Sequence, residues 1–84
     1  MMNYHFIVEL RNASRGFEWM GHDKNLGYMY TNLKKRKKFY SVQDAIYAIQ
    51  FSREDLEFHD AIVYLVEGEN MYRIKDYNDR SITT

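Results

Sequence analysis

Cysteine is absent from the 84 residues, and so is proline. The first absence removes disulfide staples, zinc knuckles and thiol nucleophiles together, and a small secreted domain ordinarily needs staples, so a reducing cytoplasm is the expected compartment. The second removes proline-rich linkers. Glycine is scarce, with four scattered at positions 16, 21, 27 and 68, and none of the spacings makes a phosphate-cradling loop that opens a helix. No segment nears the roughly 18 continuous apolar residues of a membrane span. Residues 1–11 lack a basic leader segment and Glu9 interrupts their apolar stretch, so no signal peptide is expected. Without secretion, Asn12-Ala13-Ser14 matches the glycosylation sequon only by chance. One sign of charge never dominates either: twelve Lys and Arg balance twelve Asp and Glu. A nucleic-acid mimic would be strongly acidic and a bulk nucleic-acid coat strongly basic.

What is present in quantity is aromatic: Tyr 8, Phe 5 and Trp 1. Rings bury about 150–250 Å² each, enough to give a chain of this size one useful core. Tyr4 to Arg11 alternates, with Tyr4, Phe6, Val8 and Leu10 on one side and His5, Ile7, Glu9 and Arg11 on the other, which predicts a strand. Asn12 to Gly16 reads as a turn, Phe17 to Met20 as the returning strand, and Tyr28 to Thr31 as a short third strand after the loop Gly21–Gly27. Ser41-x-x-Asp44 resembles a capping box and opens a helix with an apolar stripe of Val42, Ala45, Ile46, Ile49 and either Phe51 or the neighbours of Arg53. A second cap-like set, Ser52-x-x-Asp55, marks a possible end to that helix. Ala61 to Val66 is the expected central strand, Glu67-Gly68-Glu69-Asn70 a hairpin turn, and Met71 to Tyr77 a strand in strict alternation. Residues 78–84 lack periodicity and read as a mobile tail. The expected fold is a single α+β domain over 1–84, ordered ββ(β)αββ, with one helix on a mostly antiparallel sheet.

Chemistry of a catalytic kind is hard to find. There is no nucleophile elbow and no cofactor signature. The histidines His5, His22 and His59 are too scattered for a metal site. Glu54, Asp55, Glu57 and Asp60 form an acidic cluster on one stretch of chain, whereas divalent oxygen sites draw ligands from several elements. The expectation is a protein that is not an enzyme and carries no cofactor or metal. The conspicuous feature is the run Lys34-Lys35-Arg36-Lys37-Lys38, flanked by aromatics. Cations beside rings are the combination used to hold phosphates and stack bases, and they serve equally to attract an acidic protein. Candidate contacts are therefore Lys34, Lys35, Arg36, Lys37 and Lys38 with Trp19, Tyr28, Tyr30 and Tyr40. Charge is also segregated: residues 1–40 carry eight cations against three anions, and residues 41–84 four against nine.

From Tyr28 to Val66, the basic run, Phe39, Ser41, the acidic cap, the Ala45 helix and the Ile/Val strand resemble small accessory proteins encoded by bacteriophages. That resemblance implies a partner in the host: a nucleic-acid enzyme or a defence complex such as a CRISPR effector, met in the cytoplasm and away from membranes. Residues 4–51, three strands and a helix, also resemble sheet-type DNA-binding domains of the integrase-arm kind, which implies nucleic acid as the alternative partner.

Overall fold

The computed structural model describes residues 3–12, 14 and 16–78. The elements are β1 (Tyr4–Asn12), β2 (Gly16–Asp23), β3 (Gly27–Thr31), a 3-10 turn (Leu33–Lys35), α1 (Val42–Leu56), β4 (Asp60–Glu67) and β5 (Asn70–Asn78). The strands form one sheet in the order β3-β2-β1-β4-β5, every neighbour antiparallel, and α1 packs on one face. The fold is α+β as the periodicities predict, and the short third strand is a true edge.

The core lies between α1 and the sheet. Phe6, Val8 and Leu10 of β1, Met20 of β2, and Ala61 and Val63 of β4 meet Ala45, Ala48 and Ile49 of the helix, closed at the sides by Phe39 and Phe58. Ser41 caps α1: its hydroxyl oxygen accepts from the Asp44 backbone N–H at 3.1 Å, satisfying a donor that the first turn leaves free. The stripe differs from the expected one. Phe51 is 64% exposed and Ile46 is only half-buried, while Ala48 and Ser52 take the inward positions. Ser52 does not end the helix. Its hydroxyl donates to the Ala48 carbonyl at 2.7 Å, so a buried polar group is satisfied inside one continuous helix. The real end is Glu57, left-handed at φ 52° with its N–H on the Arg53 carbonyl, and Asn12 Nδ2 donates to the Glu57 carbonyl at 2.5 Å.

β4 and β5 join through Gly68 and Glu69, with Gly68 at φ 61°, the positive φ that a type II′ hairpin turn needs at its first central position. Strict alternation fails in β5. The register passes from Val63↔Lys75 to Tyr64↔Arg73, so Ile74 is an extra residue, and a bulge of this kind resets which side chains share a face. The expected tail falls on 79–84, outside the described residues; Asn78 still pairs with Asp60.

The sheet face away from α1 has a small apolar centre of its own. Ile7 and Ile62 are fully buried there, on the face where the rings of Trp19 and Tyr64 meet with centroids 5.6 Å apart. The Tyr64 hydroxyl donates to Glu9 Oε1 at 3.0 Å, and Arg11 Nη2 approaches the same oxygen at 3.5 Å.

Candidate docking surface

The basic run is not a free loop. β1 pairs with β2 over Glu9–Asn12; beyond that stretch the two strands part, and the chain after the 3-10 turn fills the gap. Lys37 N–H donates to the Met20 carbonyl at 2.8 Å, and Phe39 exchanges two backbone hydrogen bonds with Phe6 at 2.7 and 2.8 Å. To arrive there the chain crosses Gly21, where a Cβ would lie 2.7 Å from Thr31 Cγ2 and 3.4 Å from the Lys35 carbonyl oxygen. Glycine at 21 is thus a condition for the path of the run. Phe39, opposite Phe6, enters the core at 4% exposure, and an extended backbone then distributes the cations between the two sides of the sheet.

On the helix side, Lys37 Nζ stands 5.9 Å from the centre of the Phe39 ring. A shallow cavity of about 290 Å³ opens beside it, lined by Tyr28, Lys37, Lys38, Tyr40, Asp44 and Tyr47 among others. Rings continue outward from this cavity along α1. Tyr47 and Phe51, four residues apart, stack with centroids 5.9 Å apart, as i,i+4 neighbours on a helix do. Tyr28 meets Phe51 edge-on at 6.2 Å, and His22 meets Tyr28 at 4.9 Å. Tyr40, Tyr47 and Phe51 are 70%, 63% and 64% exposed. Burial raises the Tyr28 phenol pKa, with smaller contributions from Tyr47 and Asp44. The result is a contiguous aromatic surface with cations at one end.

On the opposite side, Arg36 Nη2 lies 3.5 Å from His5 Nε2 and its Nη1 donates to the Leu33 carbonyl at 2.6 Å. His5 has its pKa lowered by burial first, then by the charges of Lys38 and Arg36. Lys34 and Lys35 sit on the 3-10 turn, exposed.

Of the sequence candidates, Tyr28, Tyr40 and Lys37 therefore come together; Lys38 borders the same cavity, while its charge acts on His5 on the other side. Trp19 does not join them; its ring meets that of Tyr64 at a tilt on the face away from α1, with Lys35 near it in a separate depression. Tyr30 is structural, its hydroxyl donating to the Leu56 carbonyl at 2.5 Å. Sequence reasoning missed Phe51 as a contact, naming it as one choice for the inward stripe, and left Tyr47 outside the candidate contacts. Their i,i+4 spacing, offset from the Ala45–Ala48–Ile49–Ser52 stripe, was the signal that separates them from the core. The surface offers ring faces and ammonium groups, with the carboxylates of Asp44 and Asp55 at its border. Among the described residues no group of three or more His, Asp or Glu is placed to hold a metal ion, and no helix is long and apolar enough to cross a membrane. In comparisons with known proteins, the chain matches no family model, no curated protein and no solved structure.

Proposed function

We propose that this is a small non-enzymatic binding protein that docks a protein surface of mixed charge on the aromatic strip Tyr40, Tyr47, Phe51 and Tyr28, with Lys37 steering the approach. One observation supports this reading above the rest: three large aromatic side chains stand more than 60% exposed in one contiguous patch. Exposed aromatic clusters of this kind mark interfaces, where Tyr and other rings supply most of the energy. Asp44 and Asp55 border the patch, and carboxylates there disfavour a phosphate backbone while tolerating a protein of mixed charge. The resemblance to phage accessory proteins suggests the setting, inhibition of a host nucleic-acid enzyme or defence complex.

Nucleic acid is the second reading, and a different observation favours it: Arg36 and Lys38 converge on His5, on the sheet face that also carries Trp19. Two variants separate the readings. Tyr47→Ala with Phe51→Ala should weaken the purified partner's affinity by about 10²-fold or more without lowering the melting temperature. Trp19→Ala should leave that affinity within a few-fold. Tight oligonucleotide binding that falls steeply with salt and is lost in Trp19→Ala would overturn the protein reading.

A further inference from the structure

The outer side of β5 is open: the strand pairs with β4, and among the described residues nothing pairs with its other edge. Every residue from Asn70 to Asp76 is exposed, including Met71 at 45%, Tyr72 at 50% and Ile74 at 42%. A long apolar edge invites a further strand. Its charges, Arg73, Lys75 and Asp76, are of mixed sign, so they need not repel a strand of the same sequence.

The bulge decides how they are arranged. With Ile74 as the extra residue, Arg73 lies opposite Tyr64 and Asp76 opposite Ile62, positions on the face away from α1. In an unbroken strand, residues three apart point to opposite faces. Here they share one, and Arg73 Nη2 reaches Asp76 Oδ2 at 2.6 Å.

We infer that two copies of the protein pair through β5, antiparallel, about a two-fold axis that passes between Ile74 and Lys75. That axis sets Arg73 of each copy opposite Asp76 of the other, so the charge pair occurs twice. Both members lie on the same face, as directly opposed cross-strand side chains must. The faces select this axis over its neighbours. An axis through Ile74 opposes Arg73, on the face away from α1, to Lys75, which lies opposite Val63 on the helix face, and an axis through Lys75 opposes Ile74 to a carboxylate. The sheets of the two copies then run on as one, and Met71, Tyr72 and Ile74 lose exposure along the seam.

Sedimentation of the purified protein over a dilution series tests the pairing. The wild type should show the mass of two chains at high concentration and fall toward one on dilution. Arg73→Asp alone and Asp76→Arg alone each place like charges together twice per pair, and each should raise the dissociation constant about tenfold or more. Circular dichroism should show both variants folded, since these side chains are 51% and 45% exposed. Mixing the two variants should restore the dimer, because opposite charges then face each other on both sides of the axis. On one side the two substituted side chains meet, and on the other the retained Arg73 of one copy meets the retained Asp76 of its partner. The pair within each chain stays broken in that mixture, so restoration reports only the contact between copies. A single-chain mass at every concentration, a dimer indifferent to either reversal, or a mixture that stays dissociated would each overturn the inference.

Discussion

Ile7 and Val8 are neighbours in β1, point to opposite faces of the sheet, and are both fully buried. Val8 is covered by α1 through aliphatic contacts with Ala45, Ala48 and Ile49. Ile7 is covered by no helix. Two rings, Trp19 and Tyr64, meet on its face, Tyr64 directly opposite it, and Glu9 holds the Tyr64 hydroxyl in place. The helix side therefore relies on close packing, which is directionless but unforgiving of volume and charge. The other side relies on a few oriented contacts near water, so polar substitutions and pH reach it.

The largest effect should come from breaking the helix side. Ile49 is 1% exposed, and Ile49→Asp buries a charge with nothing to pair it. The cost is several kcal/mol, of the order of a small domain's whole stability. Urea or thermal unfolding of this variant should lose its cooperative transition. The open side should give a smaller, graded response. Trp19→Ala removes one of the two rings on the face that carries Ile7 and Ile62, and a half-buried ring truncated in this way should cost about 2 kcal/mol, read from the urea midpoint. A Trp19→Ala loss below about 0.5 kcal/mol would mean that Ile7 is buried by the strands alone, and the contrast between the faces would collapse.

The difference between the faces also explains what the sequence made legible. Period-two alternation in Tyr4–Arg11 and the Ser41 cap are local signals, and both survive in β1 and α1. Alternation said that Ile7 points away from Val8, but not that Trp19 and Tyr64, forty-five residues apart in sequence numbering, would meet on its face. Phe51 competed for the inward stripe because a large apolar residue near it outweighs a serine on hydrophobicity alone. Ser52 takes the inward position because its hydroxyl finds the Ala48 carbonyl, a contact that exists only once the helix does. Glu57 ends α1 in a left-handed conformation that favours glycine, so no residue type announced the boundary; Asn12, from the far end of β1, fixes it. The basic run misled in another way. Read as a loop, its cations belong together, but laid between β1 and β2 it becomes extended chain and divides them, Lys37 to the helix side and Arg36 toward His5. In β5 a single extra residue, invisible to any pattern, overturned the alternation and brought Arg73 to Asp76.

The finest test of the comparison is pH, because the open side carries a titrating group, His5, under local cations. His5 is half-buried opposite Val66, with Arg36 at 3.5 Å and Lys38 acting on it as well. Burial, then Lys38, then Arg36 hold its pKa below the ordinary value near 6.5, so in the folded protein the neutral ring is favoured. The unfolded chain, free of these neighbours, takes up the proton first as pH falls. Between the two pKa values the unfolded state binds more protons, and stability therefore rises with pH in that window. The expected curve is level above about pH 7 for this group, declines as pH falls through about 6.5, and levels again below the depressed folded value. Urea midpoints taken at fixed ionic strength should trace it, and His5→Gln should remove that step while preserving the midpoint at neutral pH. Lys38→Ala should narrow the step without abolishing it, since burial, the larger cause, remains. A step unchanged in His5→Gln would move the pH response off this face and leave the two sides of the sheet alike in that respect.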